Sequence, residues 1–289
     1  MASPLRASAV VCTLDRGPDV VRAVASLSRQ RFSADAFEIL IVDNGSGPEH
    51  AAILRGLVRD SGPPVRYVRE ANVGESSARN CAIAHARADL LAFLDDDAVA
   101  SPEWLGALVA AFAAEPRLGA AGGPVDLRYE SPPPAWIDDR LRPYLSAFDG
   151  GPRPRVLRYP DYPRGANMAF RRAVFAAAGA FSERFGRKGA CLLSYSEIEM
   201  CYRVERAGWH IGYVPAARVE HWVPASRLRR EWFAERIYWQ GRSLGLFERL
   251  HHGRWRTLAR VPGQLLGLIE KRGMHRGVHT GYLAAVLGG

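Results

Sequence analysis

Three consecutive aspartates, Asp95, Asp96 and Asp97, follow the apolar run LLAFL. Adjacent carboxylates repel one another, so without a cation some of them would have a raised pKa or stay solvated. In extended chain, alternate side chains point to opposite sides, which places Asp95 and Asp97 on one side and Asp96, with a structural or solvated role, on the other. Two carboxylates that face one way suit Mg²⁺ or Mn²⁺. A solvated turn before a helix N-terminus would use the same residues, and the motif alone fits both interpretations.

The aspartates end the last of several apolar runs that alternate with amphipathic segments, from ASAVVCTL at residues 7–14 to LLAFLDDD at residues 90–97. This alternation predicts an α/β fold with a mostly parallel sheet and helices on both faces. Ligands of such sheets bind outside the carboxyl ends of the strands. The other polar residues predicted at those ends are Thr13, Asp15, Asp43, Asn44 and Asn72.

The second half of the chain is less regular. Ser101-Pro102-Glu103 predicts a helix start, with Ser101 as the capping residue and Pro102 at the first helical position. The segment at residues 130–163 is rich in Pro and Gly, which predicts a long loop over the sheet edge. A further helix over SEIEMCYRVER is predicted to end at Gly208 and to precede a strand.

Positive charge is concentrated at the C-terminal end. Of the formal net charge of +9, the residues from Arg227 onward contribute 12 Lys and Arg against 4 Asp and Glu, and they include several aromatic residues. Such a tail suits an anionic membrane surface, a lipid-linked or phosphorylated acceptor, a second subunit in a homodimer, or a helical cap with a solvated basic face. Nucleic acid is not expected as a partner, because the chain has no RNP, zinc-finger or helix-turn-helix signature.

Cysteine usage and hydropathy predict the compartment. The four cysteines form no CxxC pair and show no zinc-type spacing, so neither a disulfide framework nor a structural metal site is predicted, and the cytoplasm is the expected location. No segment reaches the roughly 20 apolar residues of a membrane span, so membrane contact would be peripheral, at the inner face. Arginine outnumbers lysine 37 to 2, which suggests a bacterial, GC-rich genome.

Six segments resemble, in the same order, the motifs of the family 2 glycosyltransferases of the GT-A fold. They are VVCTLDR, EILIVDNGS, NVGESSARN, FLDDD, GANMAFRR and SEIEMCYRVERAGWHIGYVPAARVEH, and they extend over residues 7–225. The resemblance implies an inverting transfer of a sugar from a UDP-, GDP- or dTDP-sugar to an acceptor hydroxyl, with Mg²⁺ or Mn²⁺. It also implies a GT-A domain at residues 1–225, with a nucleotide-binding half at 1–100 and an acceptor and catalytic half at 101–225, and a basic helical extension at 226–289.

The resemblance assigns donor and metal contacts by position. The donor side comprises Thr13, Asp15, Arg16, Asp43, Asn72, Arg79, Asp95 and Asp96. The implied metal ligands are Asp97, Asp95 and His221, although a histidine at a strand end is often structural. Asp43 would contact the base or ribose; alternatively it forms a turn before Gly45. Relatives often have Asn at the position of Asp15, and Arg79 also suits an exposed helix position.

An inverting displacement needs a base that takes the proton of the acceptor hydroxyl. Alignment of SEIEMCYR with the family motif places Glu197 at the base position and Glu199 at the next acid, but Ser196 stands where the family has an acid. Glu199 and Arg203 are spaced i,i+4 and would equally form a helix-surface ion pair.

The segment GANMAFRR resembles the part of the family fold that lies beneath the donor sugar and the acceptor. The small Gly165 would let a sugar ring approach, and Asn167 would offer its amide to sugar hydroxyls. A buried strand that leads into a helix is the structural alternative for this segment.

Two other functions compete with a single, non-processive sugar transfer. Processive synthesis is not expected, because WQGRS lacks the spacing of the QxxRW element of polymerising relatives and no membrane span is predicted. A nucleotidyltransferase would also use a parallel sheet and Asp-bound Mg²⁺, but the chain has no Gly-rich phosphate loop followed by Lys. A degenerate nucleotide-sugar binding protein is the third possibility, and Ser196 favours it. The acceptor would be a lipid carrier, a polysaccharide or a small metabolite.

Overall fold

Alternating strands and helices build the amino-terminal half of the chain, in a computed structural model that describes residues 5–189, 191–270 and 273–288. The elements are β1 (Ala7–Thr13), α1 (Gly17–Ser28), β2 (Phe37–Asp43), α2 (Pro48–Gly56), β3 (Val65–Arg69), α3 (Glu75–His85) and β4 (Leu90–Leu94). Strand β1 pairs in parallel with both β2 and β4, and β2 pairs in parallel with β3. The predicted mostly parallel α/β arrangement is therefore confirmed.

The second half adds strands to the same sheet and forms a smaller one. Its elements are β5 (Ala98–Ala100), α4 (Trp104–Ala114), β6 (Leu118–Gly122), β7 (Val125–Tyr129), β8 (Arg155–Leu157), β9 (Asn167–Arg171), α5 (Ala173–Ala178), α6 (Ser196–Arg206), β10 (His210–Tyr213) and β11 (Val219–Val223). The large sheet has the order β3-β2-β1-β4-β9-β6-β10-β8, and the small sheet has the order β5-β11-β7. Strand β9 is antiparallel to both of its neighbours, β4 and β6.

Both faces of the large sheet are covered, so its central strands are apolar on both sides. Every residue of β2 is buried. Ile39 and Ile41 join an apolar cluster with residues of α1 and α4, whereas Leu40 and Val42 join a second cluster with residues of α3 and α6. This alternation follows from the two-residue period of a strand, and it explains why β2 is a continuous hydrophobic run in the sequence.

The predicted start of α4 is wrong. The helix begins at Trp104 rather than at Pro102, and the Ser101 hydroxyl is buried without a hydrogen-bond partner among the described residues. Gln30, at the end of α1, takes over the capping: its Oε1 accepts the N–H of Leu105 at 2.8 Å and its Nε2 donates to the carbonyl of Ser101 at 2.8 Å. A distant side chain therefore satisfies a helix end that local sequence was expected to satisfy.

The proline-rich segment at residues 130–163 also differs from the predicted loop. It contains a 3-10 turn at Arg142–Leu145 and strand β8, which pairs antiparallel with β10 and becomes the sheet edge. The residues of β8 lie opposite Ile211, Gly212 and Tyr213 of β10, and Leu157 is buried in the core.

Four helices complete the chain: α7 (Arg230–His252), α8 (Arg254–Leu258), α9 (Val261–Glu270) and α10 (Arg276–Leu287). Helices α7 and α10 approach closely at Gly241 and Gly281, where an added Cβ would lie 1.9 Å from the carbonyl oxygens of Val278 and Tyr238. Phe247 of α7 belongs to the same apolar cluster as residues of the large sheet, so α7 packs directly on the preceding domain. The division at residue 225 stays a prediction.

The length and polarity of the helices bear on whether the chain could cross a membrane. Over the described part of the chain, every helix is either too short or too polar to cross a bilayer.

Candidate active site

A cavity of about 380 Å³ lies outside the carboxyl ends of β1 and β4. It is lined by the residues that follow these strands, by the start of α3 and by the start of α6; among them are Thr13, Arg16, Gly74, Glu75, Asp95, Asp96, Asp97, Gly165, Glu197 and His221. This is the position at which an open parallel sheet is expected to bind its ligand, outside the carboxyl ends of its strands.

The side chain of Asp96 is held by the loop that follows β1. Thr13 Oγ1 donates to Asp96 Oδ2 at 2.8 Å, and Arg16 Nη1 donates to Asp96 Oδ1 at 3.2 Å. Burial, and then the negative charge of Asp97, raise the pKa of Asp96 to about 7. Asp96 therefore anchors the aspartate run to β1.

Asp97 is the most strongly compensated of the three aspartates. Arg16 Nη1, His221 Nε2 and Arg227 Nη2 lie 2.6, 3.1 and 3.3 Å from its carboxylate oxygens. Burial alone would raise the pKa of Asp97, but the surrounding cationic groups outweigh burial and hold that pKa well below its usual range. The Asp97 carboxylate is therefore ionised near neutral pH.

Asp95, Asp97 and His221 form a possible divalent-cation site. One ligand atom from each residue lies within 4.8 Å of the other two. Burial and the charge of Asp97 raise the pKa of Asp95, which is the repulsion that a cation would relieve. The His221 Nδ1 atom is buried without a hydrogen-bond partner among the described residues. Two carboxylates and an imidazole, with this repulsion between them, fit a cation such as Mg²⁺ or Mn²⁺.

The small sheet explains how His221 reaches the aspartates. In the antiparallel pair of β11 with β5, His221 lies opposite Ala98, and the N–H of Trp222 donates to the carbonyl of Asp97 at 2.8 Å. Strand pairing therefore fixes the imidazole beside the end of the aspartate run, although the two segments are far apart in the sequence.

Glu197 faces the same cavity from the first turn of α6. Tyr195, at the helix N-cap, has a φ of 73°, and this left-handed conformation turns the chain into the helix. Burial raises the pKa of Glu197; the charge of Glu75 adds to this, while Arg79 opposes it. A carboxylate with a raised pKa is a better proton acceptor than an exposed one.

Arg79 is buried and links α3 to α6. Its Nη1 donates to Ser196 Oγ, and its Nη2 forms an ion pair with Glu75 Oε1 at 2.7 Å. The alternative of an exposed helix residue is therefore wrong for Arg79. Ser196 replaces the acid of the family motif, and Glu75 supplies the negative charge that balances Arg79.

Asp43 lies beneath the cavity and does not line it. It is fully buried, and its carboxylate accepts hydrogen bonds from Tyr67 Oη at 2.6 Å, Arg69 Nη1 at 3.1 Å and the N–H of Ser46 at 2.8 Å. Although burial opposes ionisation, these hydrogen bonds lower the pKa of Asp43. The hydrogen bond from the N–H of Ser46 closes the turn that the sequence offered as the alternative role of Asp43. The structure therefore places Asp43 where its side chain stabilises the loop after β2.

Asp15 and Asn72 also lie outside the cavity lining. The exposed Asp15 accepts the N–H of Gly47 at 2.7 Å and so joins the loops after β1 and β2. Asn72 is exposed, and its carbonyl accepts from Asn44 Nδ2 at 2.8 Å. Asn44 lines the cavity instead, and its Oδ1 accepts the N–H of Gly74 at 2.7 Å.

The assignment of Asn167 to sugar hydroxyls is not supported. Asn167 is fully buried, its Oδ1 accepts from Trp104 Nε1 at 2.8 Å, and its Nδ2 donates to the carbonyls of Pro124 and Ala217 at 3.1 and 2.7 Å. Both amide hydrogens and the carbonyl oxygen of this buried side chain are engaged by core groups, so it does not offer its amide to a ligand. It joins the start of β9 to α4 and to the residues that precede β7 and β11. Gly165, by contrast, lines the cavity, and an added Cβ there would lie 2.8 Å from Arg79 Nη2.

The assignment of Glu199 to the acceptor site is likewise not supported. Glu199 is 1 % exposed and binds Arg203 through Nε at 2.8 Å and Nη2 at 2.9 Å, with His251 Nε2 at 3.1 Å. The i,i+4 pair with Arg203 therefore exists, but it is buried under α7 rather than on the helix surface. Its role here is to join α6 to the C-terminal helices.

Three arginines near the cavity were not singled out in the sequence. Arg187 and Arg236 line it, and Arg227 contacts Asp97. Arg236 belongs to α7 and Arg227 ends the short 3-10 turn Ala225–Arg227 before that helix, so the C-terminal extension contributes directly to the site. Only the excess of arginine in this part of the chain was visible in the sequence, because no local spacing distinguishes these arginines from exposed ones.

Comparisons with known proteins identify the family. Residues 8–177, more than half of the chain, match the sequence family described as glycosyl transferase family 2. The chain is 27% identical over 250 residues to the glucosyl-dolichyl phosphate glucuronosyltransferase of Haloferax volcanii, which covers 86% of this chain and 79% of that protein. It is also 27% identical over 252 residues to the succinoglycan biosynthesis protein ExoM of Rhizobium meliloti, and the aligned region covers 83% of this chain and 75% of that protein.

Solved structures share the fold. A mannosyltransferase from Pyrobaculum calidifontis, in complex with GDP-Man and Mn²⁺, superposes with a TM-score of 0.61 over 99% of this chain and 88% of its own, at 14% identity. At that identity the similarity concerns the fold, which is the GT-A fold of glycosyltransferases, and the predicted fold is confirmed. With the sequence match over more than half of its length, this chain belongs to glycosyl transferase family 2.

Proposed function

We propose that the chain is a metal-dependent, inverting glycosyltransferase that moves one sugar from a nucleotide diphosphate sugar to an acceptor hydroxyl. One observation carries the proposal: a possible cation site of Asp95, Asp97 and His221 lines the same cavity as a buried carboxylate, Glu197, whose pKa is raised. Metal-assisted departure of a nucleoside diphosphate and removal of a proton from a nucleophile require these two kinds of group within one substrate's reach.

The donor would bind with its diphosphate near the aspartates. Asp95, Asp97 and His221 would hold the Mg²⁺ or Mn²⁺ ion, which offsets the negative charge on the departing diphosphate. Arg16 and Thr13 hold Asp96 and keep the run of aspartates against β1. The P. calidifontis structure contains GDP-Man and Mn²⁺, which supports a nucleotide sugar donor and a metal here; the expected donors are UDP-, GDP- or dTDP-sugars.

Glu197 would act as the base in a single displacement. The acceptor oxygen forms a bond to the anomeric carbon of the sugar while the bond from that carbon to the diphosphate oxygen breaks. The hydroxyl proton passes to Glu197, and the electron pair leaves with the nucleoside diphosphate. Attack from the side opposite the leaving group inverts the configuration at the anomeric carbon. Arg79 and Glu75 would position the start of α6 for this step.

Binding measurements test the donor and the metal. Calorimetric titrations with UDP, GDP and dTDP and with their sugars, each with and without Mn²⁺, should show one nucleotide that binds and a marked gain in affinity with Mn²⁺. Absence of metal-dependent binding for all of them would contradict the proposal. If binding occurs but transfer to lipid-linked, polysaccharide and small-molecule acceptors does not, a degenerate nucleotide-sugar binding protein is the better description. The family match gives no support to a nucleotidyltransferase.

We further propose a cytoplasmic enzyme that contacts the inner face of an anionic membrane through α8 and α9. Trp255 and Ile269 are 82% and 76% exposed, and Arg254 and Arg256 are exposed beside Trp255. Apolar and cationic side chains together favour anionic lipid surfaces. The H. volcanii relative is named for a dolichyl phosphate substrate, which also favours a lipid-linked acceptor.

Vesicle sedimentation tests the membrane contact. The protein should sediment with vesicles that contain phosphatidylglycerol and not with neutral ones, and Trp255→Ala should weaken the binding. Lack of binding to both vesicle types would contradict it, and a concentration-dependent dimer in light scattering would show instead that a second copy of the chain covers this face.

A further inference from the structure

Among the described residues, two arginines that line the cavity, Arg187 and Arg236, lack counter-ions. Arg16 and Arg227 bind Asp97, and Arg79 binds Glu75. For Arg187 and Arg236, in contrast, the described residues provide no ion pair within 4.0 Å and no side-chain hydrogen bond, and Arg236 Nη1 is a buried nitrogen without a partner. Arg187 is exposed at the cavity, whereas Arg236 is half-buried. A buried guanidinium nitrogen without a partner is unfavourable, so Arg236 has an unmet requirement for an anion, and Arg187 adds a second positive charge beside it.

The positions of both arginines are fixed by the fold. Arg236 belongs to α7, which packs on the domain below it. Arg187 is held through its backbone: its N–H donates to Glu75 Oε2 at 2.9 Å, and its carbonyl accepts the N–H of Glu75 at 3.0 Å. Burial, and then the positive charge of Arg187, lower the pKa of Arg236 to about 10. Even so, Arg236 is cationic at neutral pH, so the two side chains bring two positive charges to one wall of the cavity.

This positive wall lies at the Glu197 end of the cavity. Arg187 is bonded through its backbone to Glu75, and Glu75 pairs with Arg79. Arg79 donates to Ser196, the neighbour of Glu197 in α6, and Glu197 lines the cavity together with both arginines. The aspartate end already has Arg16 and Arg227 as cations. An anion held by Arg187 and Arg236 would therefore lie beside the proposed base, where the acceptor hydroxyl meets the transferred sugar.

We propose that Arg187 and Arg236 form a binding subsite for an anionic substrate group, a phosphate or carboxylate, next to Glu197 and distinct from the donor diphosphate. The group is carried either by the acceptor or by the transferred sugar. The subsite rests on the proposed function, because Glu197 marks where the acceptor hydroxyl reacts. Paired guanidinium groups are well suited to planar carboxylates and to phosphates, since each can donate two parallel hydrogen bonds.

The first test separates the subsite from the diphosphate site. Protein saturated with Mn²⁺ and with the nucleoside diphosphate that binds is titrated with inorganic phosphate. Arg187→Gln and Arg236→Gln should each weaken phosphate binding by about 10- to 100-fold, because each removes charge-assisted hydrogen bonds. Their affinity for the nucleoside diphosphate with Mn²⁺ should change less than about twofold.

Matched variants control for charge and folding. Arg184→Gln removes an exposed charge from the same loop as Arg187, and Arg242→Gln removes a half-buried charge from α7 outside the cavity lining. Both should retain phosphate binding. Arg236→Lys keeps the charge but loses the paired hydrogen bonds, so its phosphate affinity should fall between those of the wild type and Arg236→Gln. Circular dichroism melts identify any variant that does not fold, and Arg187→Gln then provides the result alone.

The second test identifies the source of the anion. UDP-glucose and UDP-glucuronate, or GDP-mannose and GDP-mannuronate if guanine nucleotides bind, differ in the sugar carboxylate. If Arg236→Gln weakens binding of the uronate donor alone, the anion belongs to the transferred sugar. If it weakens neither donor but still weakens phosphate binding, the anion belongs to the acceptor.

Two outcomes would overturn the subsite. A loss of nucleoside diphosphate affinity above tenfold in both Gln variants would place the arginines on the donor diphosphate. Phosphate binding that is absent, or equal in the wild type and both Gln variants, would show that the arginines hold no substrate anion. Absence of any metal-dependent nucleotide binding is different, because it contradicts the proposed function itself.

Discussion

At the aspartate end of the cavity the protein supplies its own counter-charges, whereas at the Glu197 end it leaves two arginines without them. Asp97 has three cationic or imidazole partners, and Asp96 has Thr13 and Arg16. Arg187 and Arg236 have no ion-pair partner among the described residues. The aspartate end is therefore ordered before a ligand binds, and the other end gains its missing charge from the ligand.

The comparison also explains the departure at Ser196. The resemblance to the family motif predicts an acid at this position, and an acid beside Arg79 would add negative charge at the Glu197 end. This chain places a hydroxyl on Arg79 and balances it with Glu75 from α3. The net effect is a more positive environment around Glu197, which agrees with an anionic substrate group at that end.

The largest expected effect comes from the proposed base. Glu197→Gln should lower the transfer rate by about 10²- to 10⁴-fold, because the amide cannot accept the acceptor proton. Calorimetry should show donor affinity within about twofold of the wild type, since the cation site is intact. The control is Glu183→Gln, an exposed residue that should leave the rate unchanged. Full turnover by Glu197→Gln would mean that another group takes the proton.

A second variant breaks the aspartate end. Asp97→Asn should weaken Mn²⁺-dependent donor binding by more than about 100-fold, since loss of groups that only support a metal ligand already costs 10- to 100-fold. Chelation with EDTA should reduce wild-type donor affinity to a similar level. Asp89→Asn, at an exposed position, is the control. An unchanged response to Mn²⁺ in Asp97→Asn would remove Asp97 from the cation site.

A third variant tests the packing of α10 against α7, the helix that carries Arg236, without changing a charged residue. Gly281→Ala would place a Cβ 1.9 Å from the Tyr238 carbonyl and push α10 from α7, with a loss of about 1–3 kcal/mol of unfolding free energy. Gly263→Ala, in α9 with open space around it, should not destabilise the protein. Denaturant unfolding measures both, and equal stability of the two variants would contradict the close packing of α7 and α10.

The smallest expected effect concerns pH. A base acts in its deprotonated form, so kcat/KM should rise with pH through the pKa of Glu197, which burial places above the ordinary value of 4.5. Ser196→Asp would add a negative charge beside Glu197 and should move this acidic limb to higher pH, while Ser196→Ala should leave it nearly in place. Partial neutralisation of Arg79 by the added acid would shift the limb in the same direction, because Arg79 lowers the pKa of Glu197. A limb that moves to lower pH in Ser196→Asp would therefore contradict its assignment to Glu197.

Much of the fold was predictable because its signals are local. The buried run of β2 and the alternation from β1 to β4 follow from side-chain periods that neighbouring residues define. The start of α4 was not predictable in this way, since Gln30, which follows α1, and not Ser101 satisfies its N-terminus. Strand β8 was missed because three residues in a proline-rich segment carry no strand pattern until β10 pairs with them.

The candidate site divides in the same way. Sequence by itself determined that Asp95, Asp96 and Asp97 leave a buried strand and that Glu197 begins a helix, since apolar runs and helix starts are properties of adjacent residues. Tertiary structure alone decided that the Asn167 amide is engaged in hydrogen bonds within the core and that Glu199 faces α7. It alone brought Arg236 to the cavity, because the helix packing that places this residue involves distant parts of the chain. For His221, which the family resemblance implied as a metal ligand, the pairing of β11 with β5 provides the physical reason for its position.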